Sequence, residues 1–266
     1  MRLETRAIEA EKEPAVRGLT GRRVFVTGGA SGIGRAAAIR LAEEGCLVGI
    51  LDLDEAGARE TVARCAGKGW AERADITSRK AVQAAVSRFE EEVGPIDGLA
   101  NIAGWDSVQN FIDTDPALWD RIIGVNLYGP MHLHHVVLPG MIKRGFGRIV
   151  NVASDAGRVG SSGEAVYSAC KGGIIAFSKT IAREVARKGV GVNVICPGPT
   201  DTPLLGSIKD SSPDGSKIIE AMARAVPMRR IGQPADYPGI IAFLLSDDAG
   251  FITGQTISVS GGLTMV

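Results

Sequence analysis

The sequence predicts a single-domain, doubly wound α/β fold around a parallel sheet of seven strands. From residue 22 onward, short apolar runs rich in β-branched residues alternate with longer amphipathic segments rich in alanine. Such alternation is typical of βαβ units, whose crossover helices cover both faces of a parallel sheet. The runs GRIVNVAS and VGVNVICPG are apolar almost throughout, as buried parallel strands should be.

The seven strands are predicted at residues 24–27, 47–52, 71–75, 98–102, 148–153, 190–196 and 256–259. Helices begin after Ser31 and Thr77, and one ends in basic residues before Gly189. Residues 1–20 lie outside the alternation and predict an N-terminal arm, either mobile or docked as a short surface helix, ahead of a domain at 21–266. Residues 204–228 are interrupted by proline and glycine, which suits a substrate lid or a plain surface insertion.

Composition narrows the class of protein. The 30 basic residues balance 30 acidic ones and 45% of the chain is hydrophobic, which excludes intrinsic disorder and argues against a nucleic-acid partner. Four scattered cysteines predict reduced thiols in a cytoplasmic protein rather than disulfides or a zinc site. The charged N-terminus does not fit a signal peptide, and the longest uncharged run, 122–142, fits a buried helix better than a membrane span.

A glycine-rich turn follows the first predicted strand and leads into an alanine-rich helix. Glycines let the backbone approach a pyrophosphate, and the helix N-terminus offers free N–H groups and a positive dipole end. The candidate contacts in this turn are Gly28, Ser31, Gly32, Ile33 and Gly34. The turn predicts a dinucleotide site, with a turn that only packs tightly as the alternative.

Asp52 ends the next strand 18 residues after Gly34, where a ribose-binding acid is expected. Its carboxylate can accept hydrogen bonds from both adenosine ribose hydroxyls but would repel a 2′-phosphate, and neither Ser31 nor Leu53 supplies a cation to hold one. NAD is therefore favoured over NADP as the cofactor. The alternative is that Asp52 only caps the turn that follows at Asp54.

A second group of residues points to acid–base chemistry. Tyr167 and Lys171 are four residues apart in a predicted helix, so both side chains project from one face. A free phenol has a pKa of about 10, and an adjacent ammonium favours the phenolate that can act as a base. Ser154 follows a predicted strand at the edge where parallel sheets bind ligands, and Asn126 lies in an apolar stretch where a buried amide needs partners.

In this order the glycine turn, Asn126, Ser154, Tyr167 and Lys171 resemble the short-chain dehydrogenase/reductase family from residue 21 to the end. The resemblance implies a Rossmann-type fold, a nicotinamide cofactor and a homotetramer. It implies that Tyr167 exchanges a proton with the substrate hydroxyl and that Lys171 holds the nicotinamide ribose and lowers the Tyr167 pKa. It also implies that Ser154 binds the reacting oxygen and that Asn126 keeps a water linking Lys171 to solvent.

The same resemblance implies further cofactor contacts beside Asp52 and at the ends of the other strands. They are Leu53, Asp75, Ile76, Asn101, Ala103, Gly104, Pro197, Gly198, Thr200 and Thr202. Two positions depart from the family pattern. Ile102 stands where a second asparagine is common, and Ser260 stands where an acid is frequent.

Longer segments, among them AGWDSV and SDDAGFITGQTISVSGGLTM, are similar to the 2-hydroxycyclohexanecarbonyl-CoA dehydrogenases of that family. The resemblance implies oxidation of a cyclic 3-hydroxyacyl-CoA to the 3-ketoacyl-CoA with NAD. Trp105, Ser154 and Tyr167 are the expected substrate contacts, although Trp105 could equally be a rim aromatic. Five cations could bind the CoA phosphates or form a solvated face: Lys209, Lys217, Arg224, Arg229 and Arg230.

Several alternatives stay open at this point. They are a 3-oxoacyl carrier-protein reductase, another alcohol, sugar or steroid dehydrogenase, and a non-catalytic protein that senses a dinucleotide. His132, His134 and His135 lack an acidic or cysteine partner at helical spacing, so packed or interface histidines are expected rather than a metal site. The sequence holds no G-x-S-x-G hydrolase turn.

Overall fold

A parallel sheet forms the centre of the computed structural model, which describes residues 16–67, 69–210 and 214–266. Its strands are β1 (Arg23–Thr27), β2 (Leu47–Asp52), β3 (Gly69–Arg73), β4 (Gly98–Asn101), β5 (Gly147–Val152), β6 (Val190–Pro197) and β7 (Thr256–Val259). Their order across the sheet is β3-β2-β1-β4-β5-β6-β7, and every pairing is parallel. The doubly wound, Rossmann-type fold that the sequence predicts is confirmed.

Helices connect the strands and cover the sheet. They are α1 (Gly32–Glu43), α2 (Glu55–Ala63), α3 (Arg79–Glu92), α4 (Pro116–Ile123), α5 (Gly129–Arg144), α6 (Ala156–Val159), α7 (Ala165–Val185), α8 (Pro203–Asp210), α9 (Gly215–Ala225) and α10 (Pro238–Leu245). Within the described residues, none of these helices has the length and apolar character needed to cross a bilayer.

Two apolar cores lie on opposite faces of the sheet. On one face Val24 and Val26 pack with residues of α1 and α10, while on the other Phe25 packs with residues of α3, α5 and α7. Successive side chains of a strand point to opposite faces, so a strand with two covered faces needs an unbroken apolar run. The continuous apolarity of the predicted strands follows from this arrangement.

The third strand begins and ends two residues earlier than the predicted 71–75. Strand β3 starts at Gly69, and its Trp70 ring packs against Phe25 and Phe89 with ring centroids 6.2 and 5.4 Å away. The strand ends at Arg73, which pairs with Asp52 of β2. Trp70 holds this edge strand against the core through residues that are distant in sequence. The local apolar pattern used to predict the strand at 71–75 does not indicate such contacts.

Two segments differ from the predictions made from the sequence, namely the loop at 204–228 and the N-terminal arm. Residues 204–228 contain α8 and α9 rather than a long loop. Residues 1–15 of the predicted N-terminal arm lie outside the described residues, while Arg17 pairs with Asp248 and Leu19 is completely buried. The chain is therefore packed onto the domain by residue 17, before the boundary predicted at residue 21.

The carboxyl ends of the central strands meet at one edge of the sheet. At the end of β1, the Thr27 hydroxyl accepts hydrogen bonds from the N–H groups of Ile102 and Ala103, which follow β4, at 3.1 and 3.2 Å. This contact fixes the turn after β1 against the segment after β4. In doubly wound folds ligands bind in the crevice outside this edge.

Candidate active site

The turn between β1 and α1 has the backbone of a phosphate-binding site. Gly28 adopts a φ of 72°, and a Cβ on it would lie 2.7 Å from the Cα of Ala103. Gly32 adopts a φ of 51°, in the left-handed region that favours glycine. The side chain of Ser31 does not cap α1, so the N–H groups of the first helical turn keep their capacity to bind an anion.

The Asp52 carboxylate lies at the end of β2 beside this turn. Its two oxygens accept hydrogen bonds from the N–H groups of Ala30 and Asp54, at 2.9 and 3.0 Å. Asp52 therefore does support the following turn, as one reading of the sequence proposed. A carboxylate has about four acceptor positions, so about two remain for ribose hydroxyls. The uncapped helix start and these spare acceptors together fit a dinucleotide.

Two cations near the turn were missed by reasoning from the sequence. The Arg35 guanidinium donates to the Ala30 carbonyl and pairs with Glu60, so its donors are engaged within the protein. Arg73, exposed at the end of β3, donates to the Leu53 carbonyl at 3.1 Å. Only the parallel pairing of β2 with β3 brings Arg73 beside Asp52.

Two of the expected adenine and ribose contacts have their side chains turned into the protein. Ile76 is 7% exposed and packs against Gly129 of α5. The Asn101 amide donates to the Asn151 side chain at 2.8 Å and belongs to a buried polar group with His134 and Ser178. These positions could meet a cofactor through their backbone, whereas the side chain of Asp75, two residues after the end of β3, is exposed.

The segment after β6 reaches the phosphate turn from the opposite side of the crevice. A Cβ on Gly32 would lie 3.2 Å from the methyl group of Thr202, so the two segments face each other across a narrow gap. The Thr200 hydroxyl contacts the Tyr237 hydroxyl at 2.5 Å and is buried. Thr202 is therefore better placed than Thr200 to meet a ligand.

The structure brings three of the four predicted catalytic residues into direct proximity. Tyr167 and Lys171 lie one turn apart on α7, with the Lys171 ammonium 5.3 Å from the centre of the phenol ring. The hydroxyl of Ser154, which follows β5, lies close enough to the Tyr167 phenol to lower its pKa. The Lys171 ammonium donates to the Val152 carbonyl at 3.0 Å, and both α7 side chains are buried.

Asn126, the fourth residue, lies in a π-helical turn, Gly124–Tyr128, between α4 and α5. Its amide nitrogen donates to the Trp105 carbonyl at 2.6 Å and its oxygen accepts from the Trp105 N–H at 3.3 Å. A Cβ on Gly104 would lie 3.1 Å from the Asn126 oxygen and 3.4 Å from the Lys171 nitrogen. Asn126 therefore fixes the segment after β4 beside Lys171, and π-helical turns of this kind are frequent at functional sites.

Burial controls the electrostatics of the site. It raises the pKa of Tyr167 above its usual value, the carboxyl groups of Glu164 and Asp106 raise it further, and the Ser154 hydrogen bond lowers it. Burial also lowers the pKa of Lys171 to about 8. The described residues alone therefore do not produce the lowered phenol pKa that the family resemblance implies.

The remaining candidate residues have other partners. Trp105 packs beside Tyr167, and the Arg121 guanidinium lies 3.7 Å from the centre of the Trp105 ring.

His134 is buried, and burial lowers its pKa to about 4. No group of three metal-ligating side chains occurs among the described residues. Three of the five candidate cations form surface ion pairs: Lys217 with Asp214, Arg224 with Glu220 and Arg230 with Asp236.

The two departures from the family pattern are accommodated locally. The N–H of Ile102 is bound by Thr27, and the Ser260 hydroxyl accepts a hydrogen bond from the N–H of Thr264 at 3.3 Å. Two acidic residues lie near the phenol. Asp106 directly follows the predicted substrate contact Trp105, and the same pattern predicts that it could line the substrate pocket. Glu164 was not predicted, and its only signal in the sequence is that it precedes Tyr167 by three residues.

Residues 28–264 match the family model described as Enoyl-(Acyl carrier protein) reductase. With the fold and site above, this match places the chain in the short-chain dehydrogenase/reductase family, whose members bind nicotinamide dinucleotides. The protein is an oxidoreductase that acts on CH–OH groups.

Relatives align along nearly the whole chain. An acetoacetyl-CoA reductase from Allochromatium vinosum is 37% identical over 249 residues, which cover 92% of this chain and 99% of that protein. A human (3R)-3-hydroxyacyl-CoA dehydrogenase is 34% identical, with 91% and 95% covered. The structure of an NAD⁺-bound xylitol dehydrogenase superposes with a TM-score of 0.88 at 33% identity, with 92% and 100% covered.

Replacing Lys171 by methionine should stabilise the protein at pH 7. The pKa of Lys171 is about 8 in the folded protein, whereas a lysine in the unfolded chain has a pKa of 10.5. Below pH 8 the folded protein must therefore keep a buried ammonium. Between pH 8 and pH 10.5 the folded protein releases this proton while the unfolded chain retains it, so the wild type regains stability. The free energy of unfolding should therefore rise by about 1–3 kcal/mol at pH 7, and the gain should shrink towards pH 10. Urea unfolding at both pH values measures it. Lys179→Met, an exposed position on the same helix, is the control, and a gain equal at both pH values would contradict the desolvated ammonium.

Proposed function

We propose that this protein is an NAD-dependent dehydrogenase that oxidises a cyclic 3-hydroxyacyl-CoA of the 2-hydroxycyclohexanecarbonyl-CoA type to the 3-ketoacyl-CoA. The grouping of Ser154 and Tyr167 beside the buried Lys171 supports the reaction type. The substrate class is supported by the extended sequence similarity and by relatives that are named as acyl-CoA reductases and dehydrogenases.

The phenol of Tyr167 is the group that takes the alcohol proton. Ser154 holds the reacting oxygen with its hydroxyl, so that the alcohol proton points to the phenol oxygen. Lys171 and the segment after β6 would hold an oxidised nicotinamide, which would supply the acceptor for the hydride and a positive charge that favours the phenolate. The same residues return a proton to the oxygen in the reverse direction.

Lys171 makes the proton transfer possible near neutral pH. Burial opposes ionisation of the phenol, so a base at this position needs positive charge close by. The ammonium of Lys171 is fixed 5.3 Å from the ring centre by its hydrogen bond to the Val152 carbonyl. In this role Lys171 binds the nicotinamide ribose and stabilises the phenolate in one position.

Cofactor preference follows from the charges around the end of β2. Asp52 presents its spare acceptors to the adenosine ribose and repels a 2′-phosphate. Two cations lie near this carboxylate, and both have partners within the protein: Arg35 of α1 pairs with Glu60 and the Ala30 carbonyl, and Arg73 of β3 donates to the Leu53 carbonyl. These contacts support NAD as the physiological cofactor.

Replacing Tyr167 by phenylalanine tests the mechanism. The variant lacks the group that removes the proton, so kcat should fall by about 10²- to 10⁴-fold. The dissociation constant of NAD should stay close to that of the wild type, because the ring still fills its place. Steady-state kinetics and NAD titration by fluorescence measure the two quantities. Tyr128→Phe, at a half-exposed tyrosine, is the control, and undiminished turnover in Tyr167→Phe would refute the proposed base.

A panel of alcohols tests the substrate. With NAD, 2-hydroxycyclohexanecarbonyl-CoA should give the highest kcat/KM, about tenfold or more above 3-hydroxybutyryl-CoA, because the ring fills more of an apolar pocket. Xylitol and a steroid alcohol should react more slowly still. Efficient turnover of a free sugar or steroid alcohol without turnover of either acyl-CoA would overturn the proposed substrate class.

Replacing Asp52 by serine tests the cofactor. The wild type should prefer NAD over NADP, and the variant should narrow that preference by about 10- to 100-fold, because a carboxylate no longer opposes the 2′-phosphate. Ratios of kcat/KM for the two cofactors with the same alcohol measure the change. Glu55→Gln, which removes a nearby surface carboxylate, should leave the ratio unchanged. A wild-type preference for NADP would contradict the assignment.

A further inference from the structure

A second polar group, the carboxyl group of Asp106, lies beside the proposed proton acceptor and takes no part in the mechanism proposed above. Asp106 is 5% exposed, and neither oxygen of its carboxyl group has a hydrogen-bond partner among the described residues. Burial of an unpaired carboxyl group costs several kcal/mol or forces it to bind a proton. Unsatisfied buried polar groups are rare in native proteins and are frequent where a ligand completes them.

The position of Asp106 is fixed by the same contacts that build the active site. Asn126 holds both backbone groups of the preceding residue, Trp105. Asp106 then lines a small cavity together with Glu164 and Tyr167. Tyr167 and the unpartnered carboxyl group of Asp106 therefore border the same small cavity.

Burial keeps a large fraction of Asp106 protonated at neutral pH. Burial, the largest cause, and the neighbouring carboxyl group of Glu164 together raise the pKa of Asp106 to about 7, although the Ser107 N–H and the Lys171 ammonium oppose the rise. Besides Lys171, α7 presents the Tyr167 phenol and the Cys170 thiol to this carboxyl group. A protonated carboxyl group is a hydrogen-bond donor.

A 3-hydroxyacyl-CoA carries two oxygens that an enzyme can recognise near the reacting carbon. One is the hydroxyl that loses its proton, and the other is the thioester carbonyl, separated from the alcohol carbon by one carbon atom. Ser154 and Tyr167 account for the hydroxyl. A carbonyl oxygen accepts hydrogen bonds only, so a neutral acid suits it and a carboxylate repels it.

We infer that Asp106, in its protonated form, donates a hydrogen bond to the thioester carbonyl and so selects alcohols that bear a carbonyl at this position. This inference rests on the proposed function.

The protonation state of Asp106 should determine how substrate binding depends on pH. Below pH 7 Asp106 holds its proton and the thioester carbonyl is bound. Above pH 7 the carboxyl group ionises, the donor is lost and the KM for the acyl-CoA rises. An alcohol without the carbonyl should show no such rise in KM.

The test compares Asp106→Leu and Asp106→Asn with the wild type on 2-hydroxycyclohexanecarbonyl-CoA and on cyclohexanol, which keeps the ring and the alcohol but lacks the thioester. Cyclohexanol serves as a substrate or as a competitive inhibitor. Asp106→Leu should lower kcat/KM for the acyl-CoA by about 10- to 100-fold and leave the constant for cyclohexanol unchanged. Asp106→Asn keeps an N–H donor but cannot ionise. It should therefore retain activity on the acyl-CoA at pH 6, and its KM for the acyl-CoA should not rise at pH 9. Asp113→Asn, the same change at an exposed carboxylate, is the control.

The possible outcomes distinguish a failure of the proposed function from a failure of the role inferred for Asp106. If the wild type does not oxidise the acyl-CoA at all, the proposed function is wrong and the role of Asp106 falls with it. If it does, an equal loss on both substrates, or no loss on the acyl-CoA, overturns the inference alone. Should Asp106→Leu fail to fold, Asp106→Asn still decides the question, because a KM that rises with pH as in the wild type would overturn the role.

Discussion

The close approach of the turn after β1 to the segment after β4 is the constraint on which the site depends. Gly28 leaves no room for a side chain against Ala103, and the Thr27 hydroxyl holds two N–H groups of the facing segment. This contact determines where the phosphate turn lies relative to Gly104, and Asn126 then fixes Gly104 and Trp105 beside Lys171. The two ends of the crevice, proposed to bind the cofactor and to carry the chemistry, are thus positioned by one short stretch of chain that touches both. A displacement of this stretch would disturb binding and chemistry together.

The polar groups of the catalytic end are buried, and burial changes what each of them can do. It lowers the pKa of Lys171, raises that of Tyr167 and raises that of Asp106. Each shift is a destabilising contribution to the apo protein under conditions where the charged form is retained. The shifts also make the site responsive, because a positive charge beside the phenol or an acceptor beside Asp106 is worth more in a poorly solvated cavity than at a surface. Stability is given up where the chemistry takes place, as is common in enzymes.

Patterns that report on local structure predicted most of the architecture. Six of the seven strands lie within a residue of their predicted ends, because unbroken apolarity reflects burial on both faces of a sheet. The edge strand β3 begins two residues early because Trp70 packs against Phe25 and Phe89, which are distant in sequence. The described parts of residues 204–228 are largely helical where proline and glycine suggested a loop, because Gly206 is accommodated within α8 and Pro227 follows the end of α9. Asn101 turned inwards to Asn151 of β5, and Ile76 packed against Gly129 of α5, because elements distant in sequence supply partners that no local pattern reveals.

The sequence by itself determined the fold class, the phosphate turn, the acid at the end of β2 and the Tyr167–Lys171 pair, because each is encoded by spacing along one or two adjacent elements. The tertiary structure decided which side chains share one environment. It placed Arg73 beside Asp52, tied Asn126 to Trp105 and buried Asp106 against Glu164 and the phenol. Such groupings arise where segments far apart in the chain meet at the carboxyl edge of the sheet. Their charges and hydrogen bonds depend on burial, which spacing along the chain does not specify.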